Sequence, residues 1–295
     1  PEGLPAVMTI ALAVGVGRMA RRNAIIRLLP AVETLGSVTI ICSDKTGTLT
    51  RNEMVARRVA TAGGDYDVEG EGYAPAGRVA GGEADPALGW LTLAAGLCND
   101  ARLREGDHGW AVEGDPMEGA LAALAARGGN EAGAARAERP RLDEVPFDSR
   151  HRWMATLHGG GAETLFVKGA PERILELCAA EAAPGGPRPV DPARWRARME
   201  AMAAEGQRVL ALAMKEAPGA TALAPEDVRG LTLLGMVGLI DPPRAEAAQA
   251  VAECRRAGIA VRMITGDHAA TAGAIARQLG LAEDPVVVAG PELDA

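Results

Sequence analysis

Aromatic residues are scarce in this sequence of 295 residues, where they account for only 3% of positions. Hydrophobic residues nevertheless reach 48%, so the interior must be built mainly from aliphatic side chains. The length exceeds the usual size of one domain. We therefore expect either two compact units or one unit that carries a large insertion.

Positive charge is also in short supply, because the formal net charge at pH 7 is -8. Without a basic surface to neutralise a phosphodiester backbone, nucleic acid is excluded as the main partner. The histidines form no ligand pair at helical spacing. The cysteines lie far apart and form no C-x-x-C pair: Cys42, Cys98, Cys178 and Cys254. The simplest interpretation is a reduced, cytosolic protein without a zinc site.

No apolar run reaches the length of about 20 residues that a membrane-spanning helix requires. The run from Leu4 to Val16 is almost wholly apolar, and arginines follow it from Arg18 onward. Positive residues are typical of the cytoplasmic end of a spanning helix. We expect residues 1–22 to form the cytoplasmic half of such a helix. A buried amphipathic helix of a soluble domain stays open as the alternative.

Strand and helix patterns alternate in two separated parts of the chain. Near the start, Val38 to Cys42 is a β-branched run that predicts a buried strand ending in polar residues. The later predicted elements are strands over Leu231–Ile240, Ile259–Ile264 and Val286–Val288 and helices over Pro243–Ala257 and His268–Leu279. This alternation predicts a parallel, doubly wound sheet, with ligands at the carboxyl ends of its strands.

The stretch between these two parts is far too long for a loop in a compact domain. It has patterns of its own, including a helix over Leu88–Leu97 and a hairpin with strands Met154–His158 and Thr164–Val167. Ala179 to Pro189 is rich in Pro and Gly and predicts a surface loop. We expect an inserted domain built on an antiparallel sheet with helices packed on it.

Asp44 directly follows the first predicted strand and precedes small hydroxyl residues and a glycine. Such a carboxylate can attack a phosphoryl group when magnesium and backbone amides neutralise the charge. A solvated turn uses the same residue types, so position alone leaves both interpretations open. The seven residues Asp44-Lys45-Thr46-Gly47-Thr48-Leu49-Thr50 resemble the phosphorylation signature of the P-type ATPases.

This resemblance implies that Asp44, with Lys45 beside it, accepts a phosphoryl group from ATP as an aspartyl phosphate. It implies that Mg²⁺ is held by Asp44 and by the main-chain carbonyl of Thr46. The implied fold is α/β: a haloacid-dehalogenase-like doubly wound parallel sheet, incomplete here, with an inserted α+β nucleotide-binding domain on an antiparallel sheet. The phosphorylation domain would comprise residues 23–52 and 237–295, and the nucleotide-binding domain residues 53–236.

Two later segments resemble further elements of the same family. Thr265-Gly266-Asp267 stands between a predicted strand and a predicted helix, where unpaired amides attract anions. The resemblance implies that Thr265 and Gly266 help to hold the phosphoryl group; an ordinary N-cap at Asp267 is the alternative. Asp241-Pro242-Pro243-Arg244 is similar to the return segment from the inserted domain, with Asp241 near the nucleotide. Proline at a helix start would equally explain it.

Lysine is rare, with only Lys45, Lys168 and Lys215 among 31 basic residues. A lysine is a compact point charge that a planar guanidinium does not imitate, so lysines kept in motifs indicate tightly defined sites. The segment Lys168-Gly169-Ala170-Pro171-Glu172 resembles the family element whose lysine lines the adenosine pocket. Exposed lysines are also common on any surface, which is the alternative explanation.

The other nucleotide contacts are implied by the same resemblance. Phe147 would stack on adenine, although a core Phe is the alternative. Glu118 would lie near the adenine amino group, Arg208 would reach the phosphates, and Leu210 would touch the base. Arg152 stands where calcium-pump relatives often carry a lysine, and we assign it to ATP with a changed geometry.

The opening residues Pro1-Glu2-Gly3-Leu4-Pro5 resemble the broken membrane helix of the calcium-pump branch, with Glu2 as a ligand of the transported ion. The expected partners are ATP, a cation such as Ca²⁺ in the intact parent, and the membrane; the expected place is the cytosolic side of a bacterial plasma membrane protein. The family's later lysine and Gly-Asp-Gly-x-Asn-Asp loop do not occur after Val288, so we expect ATP binding with poor phosphorylation. A soluble phosphatase of the same superfamily and an inert nucleotide-binding module are the alternatives.

Overall fold

The computed structural model describes residues 3–28, 31–107, 109–267, 269–288 and 290–293. Its helices are α1 (Leu4–Ala20), α2 (Ala31–Gly36), α3 (Pro86–Leu97), α4 (Pro116–Arg127), α5 (Ala132–Glu138), α6 (Pro171–Leu177), α7 (Pro192–Ala204), α8 (Ala245–Arg256), α9 (Ala269–Gln278) and α10 (Gly290–Leu293). Its strands are β1 (Ile40–Asp44), β2 (Val55–Ala60), β3 (Asp65–Glu69), β4 (Arg78–Val79), β5 (Arg102–Gly106), β6 (Gly109–Glu113), β7 (Arg141–Asp148), β8 (Trp153–His158), β9 (Thr164–Gly169), β10 (Cys178–Ala183), β11 (Gly186–Pro189), β12 (Arg208–Glu216), β13 (Leu231–Ile240) and β14 (Ala260–Ile264).

A 10-stranded sheet forms the centre of the molecule, and its main path runs β4-β3-β2-β13-β12-β9-β8-β7. All neighbours on that path are antiparallel. Strand β10 adds to β13 in the parallel direction and pairs with β11 as a hairpin. The antiparallel sheet with packed helices predicted for the inserted segment is therefore confirmed.

This sheet is covered on both faces, because β8 and β9 are buried at every position. One face packs against α3 and α4 through a mainly aliphatic cluster that includes Leu91, Leu121 and Leu212. The other packs against α6 and α7 through a cluster that includes Ile174 and Trp195. Burying such side chains contributes about 1.5–3 kcal/mol each, which makes these two layers the main source of stability.

Aspartate followed by proline begins three of the helices that cover this sheet. Asp85, Asp115 and Asp191 each accept backbone N–H bonds from the first turn of α3, α4 and α7. This arrangement satisfies donors that have no partner inside the helix, and proline at the first helical position already has the required φ. The cap at Asp115 therefore determines where the first turn of α4 lies.

A smaller unit contains the first and last parts of the chain. Strand β1 pairs with β14 in parallel, from Ile40 opposite Ala260 to Asp44 opposite Ile264. Helices α8 and α9 flank this pair, and its apolar cluster includes Leu49 and Ile275.

The position of strand Leu231–Ile240 differs from the prediction. The strand exists at the predicted residues, but it lies in the middle of the antiparallel sheet between β12 and β2, not in the parallel sheet. A strand buried on both faces is continuously apolar in either kind of sheet, so its composition does not reveal the direction of its neighbours.

Two further segments also differ from the prediction. Residues 178–189 form the hairpin of β10 and β11 where a loop was expected, because Gly185 and Gly186 adopt positive φ and turn the chain. The predicted strand Val286–Val288 is absent, and these three valines are exposed without a neighbouring strand in the described part. A short β-branched run needs a partner strand to form a ladder.

Helix α1 has 17 residues, and its apolar side chains Leu4, Val7 and Ile10 are exposed. Within the residues described, none of the helices has both the length and the apolar character needed to cross a membrane. Glu2 and His268 lie outside the described residues.

Candidate functional site

The first group of predicted site residues meets at one edge of the small parallel sheet. Because β1 and β14 are parallel and end opposite each other, Asp44 and Thr265 emerge at the same edge. The Asp44 side chain is exposed. The hydroxyl of Thr265 accepts the backbone N–H of Asp267 at 3.1 Å, which bends the chain after β14 and leaves Gly266 inside the turn.

Lys45 is buried between carboxylates, with 7% of the residue exposed. Its Nζ lies 2.7 Å from Asp267 Oδ2 and 3.9 Å from Asp241 Oδ2. A buried ammonium is tolerated only when it is paired, and these two acids come from distant parts of the sequence. Lys45 therefore joins the segment after β1 to the segments after β13 and β14.

Thr50 and Asp241 form a second connection, next to the one made by Lys45. The Thr50 hydroxyl is 2.6 Å from Asp241 Oδ2, and Thr50 is fully buried. The backbone N–H of Glu53 donates to Asp241 Oδ1 at 3.3 Å. Asp241 thus holds both chain segments that lead into the large sheet.

The loop from Lys45 to Leu49 has an irregular backbone. Gly47 has a φ of 73°, and Thr46 is extended and exposed. Arg244 reaches this loop, donating from Nε to the carbonyl of Thr50 at 2.9 Å and from Nη2 to that of Gly47 at 3.3 Å. Among the described residues, no group of three or more His, Cys, Asp or Glu side chains could hold a metal ion by itself.

The second group of predicted residues lies on the face of the large sheet that packs against α3 and α4. Met154 and Leu212 flank Lys168 in register and belong to that face, so the Lys168 side chain points toward α4. There its Nζ lies 2.5 Å from Glu118 Oε1. Only 8% of Lys168 is exposed, and Glu118 stands in the first turn of α4. The pair is partly buried and close.

Phe147 lies in the same row of the sheet, on the edge strand β7. The register shifts between Val145 and Asp148, so that Pro146 and Phe147 both stand opposite Met154. A bulge of this kind changes the direction of a side chain next to a site. Phe147 is 63% exposed, whereas the other phenylalanine, Phe166, is fully buried. The alternative of a core Phe at 147 is therefore wrong.

Gly169 allows two backbone segments to approach closely at the end of β9. A Cβ at this position would lie 2.5 Å from the carbonyl oxygen of Arg152 and 2.7 Å from Cβ of Trp153, which no side chain permits. The Arg152 carbonyl accepts the N–H of Ala170 at 3.0 Å, and Arg152 itself has a φ of 59°. The Arg152 side chain is exposed.

Arg208 and Leu210 lie at the start of β12, the strand beside β9. Arg208 is exposed and Leu210 is half-buried against the α3 and α4 layer. Their side chains alternate along the strand with that of Val209, which packs into the opposite core. Both residues therefore lie on the same face as Lys168.

Sequence reasoning did not identify the residues that orient Glu118. The Asn99 side chain donates to the Glu118 carbonyl at 2.8 Å, and the Asp100 backbone N–H donates to Glu118 Oε2 at 2.9 Å. The available signal was the polar pair Asn99-Asp100, which begins two residues after the predicted end of a helix at Leu97.

Two cavities in the described part lie away from these groups. One, of about 490 Å³, is lined by Trp90 and Arg139 among others. The other, of about 690 Å³, lies between α7 and α9 beside Pro242 and Pro243. Neither is lined by Asp44, Phe147 or Lys168.

Comparison with known proteins gives a family match. A family model described as the P-type ATPase cytoplasmic domain N matches residues 88–246, which is more than half of the chain. The chain belongs to the P-type ATPases. Its relatives include the cation-transporting ATPase pma1 of Synechocystis sp., 48% identical over 96% of this chain and 33% of that protein.

Two calcium-transporting ATPases also align with this P-type ATPase chain. That of Bacillus subtilis is 38% identical over 95% of the chain and 33% of its own length. The type 2C member 2 protein of Mus musculus is 39% identical over 100% of the chain and 31% of its own length. The chain thus spans about a third of these relatives. The predicted family is confirmed.

Proposed function

We propose that this chain binds ATP on the α4 face of the antiparallel sheet, with Phe147 against the adenine. The observation that carries the proposal is the 63% exposure of Phe147. Phe147 lies at the bulge of β7, in the same row of the sheet as the partly buried pair of Lys168 and Glu118. Aromatic faces stack on bases, and a close Lys–Glu pair supplies a donor and an acceptor for the polar edge of a base. Glu118 faces the adenine amino group, and Lys168 lines the adenosine pocket.

The remaining contacts follow from the strands around this pair. Gly169 lets the backbone approach the nucleotide, Leu210 touches the base, and Arg208 directs its guanidinium to the phosphates. Arg152 provides a weaker contact, because its planar guanidinium differs in geometry from the lysine that calcium-pump relatives often carry there. Asp241 lies near the nucleotide. The chain crosses between the two units at Glu53, Met54 and Asp241, and we call these residues the passage.

Asp44 is the proposed phosphoryl acceptor of the intact protein. Its exposure at the end of β1, opposite Thr265, supports attack by a carboxylate oxygen on the γ-phosphorus, with ADP leaving on the bridging oxygen. Thr265 and Gly266 hold the phosphoryl oxygens. Lys45 and Asp267 take part by pairing with each other, which keeps the two segments together.

The donors around Asp44 fit Mg²⁺, because this ion takes oxygen ligands from one or two carboxylates together with substrate phosphates. Asp44 and the main-chain carbonyl of Thr46 would hold it, and it would neutralise charge on the transferring phosphoryl group. Thr46 has no acidic side chain to activate water, which argues against a soluble phosphatase of the same superfamily.

The fold around Asp44 is proposed to be haloacid-dehalogenase-like. The parallel pair of β1 and β14, with α8 packed beside it, supports this assignment. The expected boundary at residue 237 would cut through β13, so we assign residues 23–52 and 241–295 to the phosphorylation domain and residues 53–240 to the nucleotide-binding domain. Strand β13 continues to Ile240 in the large sheet, so the chain leaves that sheet at Asp241.

For the intact protein we propose ATP-driven cation transport, with the present chain on the cytosolic side of a bacterial plasma membrane. Ca²⁺ is the proposed cation, since two of the relatives are calcium-transporting ATPases. Residues 1–22 would be the end of a membrane helix, and Glu2 would be one ligand of the ion.

Calorimetric titration with ATP tests the nucleotide site. Phe147→Ala and Lys168→Ala are each expected to weaken binding by about 5- to 150-fold, because each removes about 1–3 kcal/mol of stacking or charge interaction. Leu142→Ala on the same edge strand and Lys215→Ala on β12 are the matched controls, and both should bind as the wild type does. Unchanged affinity in Phe147→Ala and Lys168→Ala would remove the support for this site.

Labelling with γ-³²P-ATP tests the acceptor. We expect the intact protein to be labelled on Asp44. The label should be lost in Asp44→Asn and retained in Asp67→Asn, which changes an exposed aspartate of β3. Full labelling of Asp44→Asn would contradict the assignment, and ATP binding without any labelling of the wild type would favour the inert module.

A further inference from the structure

The connection between β3 and β4, residues 70–77, is held in place by one buried arginine. We call it the clasp loop. Arg127 Nη2 donates to the carbonyls of Glu71, Gly72 and Ala74 at 3.1, 2.9 and 2.8 Å. Gly70 has a φ of 134°, and a Cβ there would lie 2.6 Å from Arg127 Nε. The loop and the guanidinium are therefore closely fitted.

Burying the charged side chain of Arg127 in this position costs hydration free energy. Arg127 is 5% exposed, no acidic side chain pairs with it among the described residues, and its Nη1 has no hydrogen-bond partner there. Burial, and after it the charge of Arg57, lowers the pKa of Arg127. Burying a guanidinium without an acidic partner loses hydration, and the carbonyl bonds to the clasp loop offset that loss, so the position of Arg127 depends on the loop.

The clasp loop carries Tyr73 to the passage between the two units. Tyr73 is 7% exposed, and its Oη accepts the backbone N–H of Met54 at 3.2 Å. Burial raises the pKa of Tyr73, the Met54 bond lowers it, and the charges of Glu53, Asp241 and Asp115 raise it further. The phenol is thus surrounded by acids of the passage and of the α4 cap.

Helix α4 joins this arrangement to the proposed nucleotide site. Glu118, the partner of Lys168, stands in its first turn, and Arg127 is its last residue. The helix has 12 residues and a buried face, and its continuous hydrogen-bonded backbone connects the two ends. Its two ends contact Lys168 and the clasp loop respectively.

We propose that Arg127 and Tyr73 are positioning residues that couple nucleotide binding at Glu118 to the passage at Glu53, Met54 and Asp241. The coupling rests on the proposed nucleotide site. A base that engages Glu118 reorients α4, the guanidinium moves the clasp loop with it, and the Tyr73 phenol changes its hold on the backbone of Met54. When the nucleotide site is occupied, the hydrogen bonds of Glu53 and Met54 at the passage are held more firmly than when it is empty.

Hydrogen exchange of the wild-type chain with and without ADP measures this coupling. The reporter is the Glu53 amide, which bonds to Asp241 and not to Tyr73, so loss of the phenol does not remove its acceptor. ADP is expected to slow its exchange by about tenfold, in the range typical of coupling between two sites. ADP affinity is measured on the same samples by calorimetry.

Tyr73→Phe removes only the hydroxyl. We expect the ADP effect on the Glu53 amide to fall below about twofold, while ADP affinity stays within about threefold of the wild type. Tyr66→Phe is the matched control, because the other tyrosine of the chain donates to Asp85 at 3.0 Å in the neighbouring hairpin. It should keep the full ADP effect. Arg127→Lys keeps the charge but replaces the planar guanidinium, which donates from both Nε and Nη2, with a single donor nitrogen, and it should behave like Tyr73→Phe.

The outcomes separate the coupling from the nucleotide site. ADP binding that leaves Glu53 exchange unchanged in the wild type overturns the coupling and leaves the site intact. A full ADP effect in both Tyr73→Phe and Arg127→Lys also overturns it. Absence of ADP binding to the wild type overturns the proposed site, and the coupling falls with it.

Discussion

The two units of this molecule are stabilised in different ways. The large antiparallel sheet is enclosed by apolar layers on both faces, with Trp195, Phe166 and Leu212 fully buried. The small parallel unit has a much smaller apolar cluster, and strand residues such as Ile40 and Ile264 are 54% and 58% exposed. Its segments are joined by polar contacts through Lys45, Asp241 and others. Apolar packing dominates where the sheet is large, and specific charge pairs take over where it is small.

The two buried lysines make this difference concrete. Lys168 pairs with Glu118 on a rigid helix, whereas Lys45 pairs with Asp267 across the turn after β14. A buried lysine–carboxylate pair therefore has a different role in each unit. In the large unit it orients the side chains on the α4 face of the sheet, and in the small unit it joins the segments after β1 and β14. Three predictions test the difference between the two units.

The largest expected effect lies in the apolar unit. Trp195→Ala empties a fully buried site and should lower the free energy of unfolding by about 3–5 kcal/mol. Ile40→Ala in the exposed strand of the small unit should cost no more than about 0.5 kcal/mol. Urea unfolding followed by circular dichroism measures both. Similar losses in the two variants would show that the units do not differ in this way.

A smaller loss is expected from the polar connection. Asp241→Ala removes an acceptor of the Thr50 hydroxyl and the acceptor of the half-buried Glu53 N–H, which should cost about 1–3 kcal/mol. Asp241→Asn keeps one oxygen and should lose less. Urea unfolding combined with hydrogen exchange of the Glu53 amide measures the effect. If Asp241→Ala is as stable as the wild type, the polar contacts do not hold the small unit together.

The smallest effect is a pH dependence that belongs to the large sheet. His158 is buried, with Nδ1 3.0 Å from the carbonyl oxygen of Arg139. Burial, followed by the charges of Arg141, Arg136 and Arg139, lowers the pKa of His158 below its ordinary 6.5. Its contribution to stability is therefore present above pH 6.5 and is lost as the pH falls through the lowered pKa.

Unfolding of the wild type and of His158→Gln between pH 7.5 and 5 checks this dependence. The wild type should lose more stability over that interval than the variant, because only the wild type must bury an imidazole that the unfolded chain protonates. Parallel curves for the two proteins would contradict the assignment to His158.

Most of the local structure could be predicted from the sequence because its signals are local. Asp115 followed by Pro116 predicts the start of a helix, and three glycines after His158 predict a hairpin turn; both are confirmed. Prediction was wrong where the outcome depends on a distant partner. Ala179 to Pro189 became a hairpin because the first residues of β13, which β2 does not cover, pair with β10, whereas Val286–Val288 have no neighbouring strand in the described part.

In the candidate site, too, the sequence predicted the features with local signals and missed those that depend on distant residues. The sequence motifs were sufficient to name Asp44, Lys168 and Phe147 as the residues of interest. They contained no information on the Lys45–Asp267 pair, whose members are 222 positions apart, or on the bulge that exposes Phe147. Pairings over such distances arise only when the strands that carry them are placed side by side.

By itself, therefore, the amino-acid sequence determined the family, the order of most helices and strands, and the residue types available for chemistry, since capping, periodicity and motif spacing act over a few residues. The tertiary structure alone decided that Leu231–Ile240 joins the antiparallel sheet, that Asp241 connects two chain segments, and that α4 links Glu118 to the clasp loop. The physical reason is that burial and ion pairing depend on which surfaces meet, and that is a property of the whole folded chain.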